Sequence, residues 1–302
     1  NRRGFAPVIE CKECGWVPHC VNCDVSLTYH KFRNELVCHY CGYKIQLPHQ
    51  CPECQSPELR TMGFGTEMVE EEIATLFPSA KVERLDFDTA RTRTAYERII
   101  ADFEKGKTQI LIGTQMLSKG LDFGNVSVVG ILNADSLMNF PDFRAHERAF
   151  QLMVQVSGRA GRRDKRGTVV LQTSQPDHPL IRMVERFAYK VRLQLGERSM
   201  FRYPPYYRLI VIVLRSRNDS ILQELSVLYA ENLRRRLGER VLGPVTPPIT
   251  RVQTLHIRKI VLKIEIAAAI APVREILESV HTEMQRYLPF KQLIVHYDVD
   301  PA

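Results

Sequence analysis

Eight cysteines constrain the fold of this 302-residue chain more than any other feature. They form four C-x-x-C pairs near the N-terminus, namely Cys11/Cys14, Cys20/Cys23, Cys38/Cys41 and Cys51/Cys54. Two cysteines three residues apart direct both sulfurs at one ion from a tight turn, and two such pairs complete a tetrahedral zinc shell. Eight thiolates therefore predict two structural zinc ions, with no coordination position open for water.

Disulfides and redox chemistry are the alternatives to zinc. Disulfides are typical of small secreted domains, but the rest of this chain looks intracellular: residues 1–4 (NRRG) are not expected to begin a secretory signal peptide, and no apolar run is long enough to cross a membrane. A redox C-x-x-C is disfavoured because four copies serve no dithiol reaction. The cysteine pattern therefore predicts metal binding inside a cell.

Two schemes for sharing the ions remain open. In the nested scheme the inner pairs, separated by 14 residues as in a zinc-ribbon hairpin, bind one ion, and the outer pairs bind the other. In the sequential scheme the first pair joins the second and the third joins the fourth. The nested scheme is favoured because it also brings the two ends of the cysteine-rich segment together. His19, His39 and His49 are predicted to lie outside both shells.

Strand-like and helix-like stretches alternate around and after the cysteines. Apolar runs occupy residues 5–9, 108–112, 126–132 and 168–171. Helical patterns occupy residues 67–76, 95–104 and 144–156. Such alternation predicts a parallel sheet with helices on both faces, into which the zinc module is inserted after the first strand.

A pair of arginines follows the last of these helical patterns. Residues 155–162 read QVSGRAGR, which places Arg159 and Arg162 three positions apart among small residues. Such a pair suits charge stabilisation on a transferring phosphoryl group. The alternative is a basic helix end with no partner. The chain contains no G-x-x-x-x-G-K-[ST] sequence, so it is not a self-sufficient P-loop ATPase.

The last third of the chain is basic and changes pattern. Residues 186–302 contain 19 Lys and Arg against 11 Asp and Glu, which accounts for the net charge of +8. Their order of strands and helices, β-α-β-β-α-β, predicts a ferredoxin-like domain with both helices on one sheet face. Arg251, Arg258 and Lys259 are candidate contacts to a nucleic acid, although a solvated basic face without a partner explains the charge as well.

The ordered motifs resemble a known family. Residues 113–123 (GTQMLSKGLDF) and 155–162 look like motifs V and VI of superfamily 2 helicases. Together with NRRGFAP at residues 1–7, the four C-x-x-C pairs, GTE at 65–67, DFRAHER at 142–148 and DVDP at 298–301, they resemble the PriA family of bacterial replication-restart helicases over essentially the whole chain.

The resemblance implies a fold class and an activity. The fold is an α/β RecA-like helicase second lobe with an inserted binuclear zinc-binding module, followed by an α+β ferredoxin-like C-terminal domain. The activity is that of an ATP-dependent 3′→5′ DNA helicase that recognises stalled or branched forks and starts primosome reassembly. The cofactors it implies are ATP with Mg²⁺ and two structural Zn²⁺. The location it implies is the bacterial cytoplasm, in association with the nucleoid. The implied partners are forked or single-stranded DNA, primosome proteins and single-strand-binding protein, and no membrane contact is expected.

The resemblance also implies residue roles. Arg159 and Arg162 would contact nucleotide phosphates as catalytic residues. Three further residues would bind the nucleotide: Gln155, Gly120 and Asp122. Thr114 and Gln115 would lie on the DNA side. The outer cysteine pairs would share one ion and the inner pairs the other, as in the nested scheme.

Three segments are expected along the chain. Residues 1–10 and 55–198 form the helicase lobe, residues 11–54 the zinc module, and residues 199–302 the basic C-terminal domain. Since the phosphate-binding loop is not among them, we expect the chain to be a piece of a longer protein and to have no ATPase activity alone. A non-catalytic zinc-containing DNA-binding or scaffold module is the alternative, and a zinc-bearing RNA helicase is another.

Overall fold

A computed structural model describes residues 4–118, 123–160, 167–186 and 191–301. The strands are β1 Val8–Cys11, β2 Thr28–His30, β3 Glu35–Val37, β4 Lys44–Gln46, β5 Leu59–Met62, β6 Val82–Leu85, β7 Ile110–Gly113, β8 Val128–Ile131, β9 Thr168–Leu171, β10 Tyr207–Ser216, β11 Val241–Val245, β12 Arg251–Val252, β13 Leu255–Glu265 and β14 Ile294–Val299. The helices are α1 Thr66–Leu76, α2 Arg93–Glu104, α3 Asp135–Met138, α4 Ala145–Ser157, α5 Pro179–Glu185, α6 Val191–Met200, α7 Asp219–Leu237 and α8 Ile270–Met284.

The described residues divide into two compact units. The first draws on residues 1–17, 28–36 and 46–190, and the second on residues 18–27, 37–45 and 191–302. The cysteine-rich segment is therefore shared: the outer cysteine pairs belong to the first unit and the inner pairs to the second. Among the helices that the structure describes, none has the length and apolarity that a bilayer span requires.

The first unit contains parallel strand pairs flanked by helices. Strand β6 pairs with β7, and β8 pairs with β9, both in parallel register. One small core gathers Leu85, Ile99 and Phe123 between these strands and α2. A second core forms where α4 and α5 pack together around Met153. The predicted alternation of strands and helices after the cysteines is confirmed for these elements.

The prediction that residues 5–9 form the first strand of the parallel sheet was wrong. Strand β1 pairs with β5 in antiparallel register, with Val8 opposite Met62 and Cys11 opposite Leu59. The chain enters the cysteine-rich segment along β1 and leaves it along β5. Because the two strands run in opposite directions, they pair in antiparallel register and hold the two ends of this segment together. These strands therefore form a ribbon that carries the outer cysteine pairs.

The C-terminal part of the second unit is a sheet covered by two helices. Its strand order is β11-β13-β10-β14 with every neighbouring pair antiparallel, and β12 extends along β13. Alternate residues of β10, including Ile212 and Leu214, point into a core shared by α7 and α8. Helix α7 begins at Asp219 because the Asn218 side chain accepts a hydrogen bond from the Ile221 N–H. Both helices therefore cover the same sheet face.

Candidate functional site

The eight cysteines form two groups of four. In the outer group the Sγ atoms of Cys11 and Cys54 lie 3.6 Å apart, and in the inner group those of Cys20 and Cys41 lie 3.5 Å apart. Within each group all four sulfurs lie within 4.8 Å of one another. The groups are Cys11, Cys14, Cys51 and Cys54, and Cys20, Cys23, Cys38 and Cys41. This is the nested scheme, and neither group includes a histidine.

The sulfur spacing fits zinc and excludes disulfides. A disulfide joins its sulfurs at about 2.05 Å, and all eight cysteines are free. A tetrahedral ion with Zn–S bonds of about 2.3 Å separates its sulfurs by about 3.8 Å. The observed separations of 3.5 to 3.6 Å are close to that value. The two groups are thus four-cysteine zinc-binding clusters whose ligand sets leave no position for a substrate.

One hydrogen bond recurs in all four C-x-x-C turns. The backbone N–H of the first cysteine donates to the carbonyl five residues further on, at 2.8 to 3.0 Å. The pairs are Cys11 to Trp16, Cys20 to Val25, Cys38 to Tyr43 and Cys51 to Ser56. This bond closes each turn, so that both sulfurs project to the same side. The local sequence therefore builds half of each metal site.

The position after the second cysteine distinguishes one turn from the others. In three turns this residue has positive φ and its N–H donates back to the first cysteine; the residues are Gly15, Gly42 and Gln55. Glycine suits that conformation because it has no Cβ. In the fourth turn the residue is Asp24, whose N–H donates instead to the carbonyl of Arg251 at 2.9 Å. The inner site thus takes part of its support from the β12 strand.

The thiols of the outer group differ in their readiness to ionise. The backbone N–H of Cys14 lowers the pKa of Cys11 to about 7. For Cys14, the N–H of Trp16 acts to lower the pKa, but burial and the neighbouring thiols raise it to about 12. Four adjacent thiolates repel one another unless a cation lies among them. A divalent ion removes this repulsion and binds the deprotonated sulfurs.

Glu67 anchors the cysteine-rich segment to the first unit. It lies in the first turn of α1 and is only 9% exposed. Its carboxylate lies 3.2 Å from Nδ1 of His30 and accepts the Lys31 N–H at 3.1 Å. Burial alone would raise the pKa of Glu67, but the hydrogen bond from His30 and the charge of Arg84 hold it below its usual range.

The GTE sequence at residues 65–67 forms the start of helix α1. Beside Glu67, the hydroxyl of Thr66 donates to the buried carboxylate of Asp86 at 2.6 Å. The N–H of Glu67 donates to the carbonyl of Gly4, where an added Cβ would lie 2.7 Å from the carbonyl oxygen of Tyr29. Sequence reasoning missed His30, Arg84 and Asp86, because only the fold brings them to this helix end.

Thr114 and Gln115 directly follow strand β7. Thr114 is half-buried and Gln115 is exposed. Strand β7 ends at Gly113, where an added Cβ would lie 2.6 Å from the Leu117 side chain and 2.8 Å from the carbonyl of Leu85. Only glycine fits this close approach, which therefore sets the backbone path into Thr114 and Gln115. The predicted nucleotide-binding residues Gly120 and Asp122 lie outside the described residues.

The C-terminal end of α4 carries the residues predicted from the sequence to form motif VI. Gln155 lies exposed in its last turn, and Arg159 follows the helix in a half-buried position. The chain turns there through Gly158, whose N–H donates to the carbonyl of Val154 at 2.9 Å. Arg162 lies outside the described residues. The structure therefore places one of the two predicted catalytic arginines at this helix end.

The three basic residues proposed to contact DNA differ in exposure. Arg251 on β12 and Lys259 on β13 are partly exposed. Arg258 is 9% exposed, and its guanidinium lies 2.8 Å from Asp219 and donates to Gln223 at 3.0 Å. Its side chain thus ties β13 to the start of α7.

These features define a class of protein. The chain contains two four-cysteine clusters. Its residues 60–164 match the helicase conserved C-terminal domain, so it also carries a helicase lobe. Residues 20–45 match the PriA DNA helicase Cys-rich region domain, and residues 199–302 match the primosomal protein N C-terminal domain. The chain is thus a helicase C-terminal lobe joined to a zinc module and a C-terminal domain.

Individual relatives specify the family. The chain is 39% identical over 306 residues to the replication restart protein PriA of Bacillus subtilis, covering 100% of this chain and 38% of that protein. It is 43% identical over 257 residues to that of Haemophilus influenzae, covering 83% and 35%, and 36% identical over 309 residues to that of Treponema pallidum, covering 100% and 46%. The chain belongs to the PriA family and matches the C-terminal half of such a protein, spanning less than half the length of these relatives.

Proposed function

We propose that this chain is the second motor lobe, with its zinc module and C-terminal domain, of an ATP-dependent 3′→5′ DNA helicase. Such an enzyme recognises stalled or branched replication forks and starts primosome reassembly in the bacterial cytoplasm, on the nucleoid. The observation that carries this proposal is the order of three matching family domains along one chain. Primosome proteins and single-strand-binding protein are the proposed protein partners.

The proposed mechanism assigns the α4 end to the nucleotide. Arg159 and Arg162 neutralise the charge that develops on the phosphoryl group when ATP is hydrolysed. Gln155, Gly120 and Asp122 bind the same nucleotide. Mg²⁺ would supply further charge neutralisation on the phosphates. Because the chain contains no P-loop sequence, we propose that it hydrolyses no ATP by itself.

The proposed DNA contacts lie in two places. Thr114 and Gln115, at the end of β7, face the DNA strand along which the motor moves. Arg251 and Lys259, in the C-terminal domain, contact phosphates without reading bases. Arg258 is part of the same proposed surface, but its ion pair with Asp219 suggests that it mainly positions β13.

The finer fold assignments belong to the same proposal. Parallel pairs β6–β7 and β8–β9 with flanking helices support a RecA-like lobe. The order β11-β13-β10-β14 with two helices on one face supports a ferredoxin-like C-terminal domain. We propose that the helicase lobe comprises residues 1–10 and 55–198, the zinc module residues 11–54, and the C-terminal domain residues 199–302. The two compact units divide the cysteine-rich segment between them.

Fluorescence anisotropy tests the DNA part of this proposal. The chain would be titrated against a model DNA fork, single-stranded DNA, duplex DNA and an RNA fork over a series of salt concentrations. We expect the tightest binding to the DNA fork, weakening steeply as salt rises. Equal binding to all four nucleic acids would contradict fork recognition by this chain, and preference for RNA would favour an RNA helicase.

The ATPase part is tested in the full-length protein. Arg162→Ala should reduce DNA-stimulated ATP hydrolysis at least about 1000-fold, as expected for a residue that stabilises phosphoryl transfer. The chain alone should show no turnover that follows it through purification. Full restart activity with Arg159→Ala and Arg162→Ala together would instead support a non-catalytic zinc-containing scaffold.

A further inference from the structure

The hairpin between β12 and β13 has an unusual tip. Gln253 and Thr254 form its two-residue turn, and both have positive φ, at 50° and 68°. Such turns usually contain Asn-Gly, because side chains with a Cβ adopt this conformation poorly. A Gln-Thr tip therefore needs external contacts to hold it.

The inner zinc cluster supplies backbone contacts to this tip. The N–H of Gln253 points at Sγ of Cys23 from 3.3 Å, across a separation of 230 residues. The N–H of Thr254 donates to the carbonyl of Asn22 at 2.8 Å. Both amides at the tip are thus directed at the Cys20–Cys23 turn.

Side chains strengthen the same contact. The side-chain amide of Gln253 donates to the carbonyl of Tyr40 at 3.2 Å, beside the other cysteine pair of the inner cluster. The hydroxyl of Thr250 donates to the carboxylate of Asp24 at 2.6 Å. Asp24 also donates its N–H to Arg251. The hairpin therefore contacts both turns that carry the inner cysteines.

We propose that the β12–β13 hairpin is an outer-sphere part of the inner zinc site. The N–H of Gln253 stabilises the negative charge of the Cys23 thiolate, and a thiolate is the form that binds zinc. Hydrogen bonds from outside the ligand shell typically change metal affinity by about 10- to 100-fold. The C-terminal domain thereby controls how firmly the inner site retains its ion, and Gln253 is a positioning residue for that site.

The inner zinc site in turn supports the hairpin. The zinc-bound turn holds Gln253 and Thr254 in their left-handed conformation, so that the metal orders the hairpin tip. The two cysteine pairs of the inner cluster and the C-terminal domain also lie in one compact unit. Loss of zinc from the inner site should therefore disorder the hairpin tip, 230 residues away in sequence.

Zinc release from the 302-residue chain tests the proposal. The inference rests on zinc at both sites, so the zinc content of the unaltered chain is measured first and should be two ions per chain. Release into a colorimetric chelator is then followed, with Cys54→Ser identifying the outer phase. Gln253→Pro removes the N–H and forbids positive φ, and it should release the inner ion about 10-fold faster or more. Gln253→Gly keeps the N–H and favours the turn but loses the side-chain bond to Tyr40, so it should release the ion more slowly than the proline variant.

Equal inner release rates for the proline, glycine and unaltered chains would overturn the proposal. Amide hydrogen exchange gives a second readout that does not depend on the proline variant. Gln253 and Thr254 should be protected in the zinc-loaded chain and lose that protection in Cys23→Ser, while Val211, in the centre of β10, stays protected. Unchanged protection in Cys23→Ser would also overturn it. Fewer than two ions in the unaltered chain would overturn the metal assignment itself.

Discussion

Buried charges hold the first unit together at the scale of single residues. Glu67 and Asp86 lie almost out of solvent, at 9% and 0% exposure. Arg84 lies 3.6 Å from both carboxylates, and Nδ1 of His30 lies 3.2 Å from Glu67. Removing one member of such a set of buried charges leaves its partner uncompensated. This costs more free energy of folding than the intact set contributes.

Glu67→Gln should therefore destabilise the first unit. The substitution keeps the side-chain shape but removes the charge opposite Arg84 and His30. We expect a loss of about 2 to 4 kcal/mol in the free energy of unfolding, measured by urea denaturation. Glu72→Gln, at an exposed position of the same helix, is the matched control and should change it by less than about 0.5 kcal/mol. Equal effects of the two variants would show that the buried group contributes nothing specific.

Stability should also fall in acid because of Asp86. Burial acts to raise the pKa of Asp86, but the Thr66 hydroxyl, the Thr89 N–H and Arg84 keep it below its usual range. A lowered folded-state pKa stabilises the protein above the unfolded pKa of about 3.9, and this stabilisation is lost as the pH falls through the folded value.

The measurement is the urea midpoint of the first unit between pH 6 and pH 2.5. We expect the midpoint of the unaltered chain to fall below about pH 4 more steeply than that of Asp86→Asn, which has no carboxylate to protonate. Parallel pH profiles for the two chains would contradict this assignment.

At the scale of elements, the four C-x-x-C turns share one design with one variation. Each is closed by the same N–H to carbonyl bond, and three place a left-handed residue directly after the second cysteine. Gly42 occupies that position in the inner cluster, at φ 79°. Its freedom from a Cβ, rather than any contact, explains its presence, because nothing lies within 4 Å of where a Cβ would be.

Gly42→Ala should consequently weaken the inner site without steric conflict. Forcing a residue with a Cβ into the left-handed region costs about 1 to 2 kcal/mol. If the bound turn carries this cost, zinc affinity at the inner site should fall about 5- to 30-fold in a chelator competition. Gly130→Ala is the control, since Gly130 also has open space around it but lacks positive φ. Similar affinities for the two variants would contradict the conformational explanation.

At the scale of the whole chain, charge is concentrated in the last third. Residues 186–302 carry an excess of eight positive charges, which equals the net charge of the chain. Arg258 is one of these charges but is engaged by Asp219 and Gln223. Partly exposed residues such as Arg251 and Lys259 remain the better candidates for phosphate contacts.

Salt dependence of DNA binding should separate these roles. Each lost phosphate contact reduces the slope of log K against log salt by about 0.9. Arg251→Gln with Lys259→Gln should therefore lower the slope by about 1.8, as read from fluorescence anisotropy. Arg258→Gln should instead lower the thermal stability of the domain, and Arg274→Gln, at an exposed position of α8, should change neither. An unchanged slope in the double variant would remove both residues from the proposed surface.

Local patterns in the sequence were sufficient for much of the fold. The cysteine spacing predicted two four-cysteine clusters, because a tight C-x-x-C turn needs only nearby residues to aim its sulfurs. Periodicity predicted helices such as α1 and α4 to within one residue of their ends. The charge excess and the motif order were likewise readable without a structure.

Only the tertiary structure decided which distant segments meet. It paired β1 with β5 instead of a parallel sheet, buried Glu67 against His30, and brought Gln253 to Cys23. No local pattern encodes these contacts, since each depends on how complete elements pack and which hydrogen-bonding groups are then left to be satisfied. The sequence by itself therefore determined the metal ligands and the elements, and folding determined which domain supports each metal site.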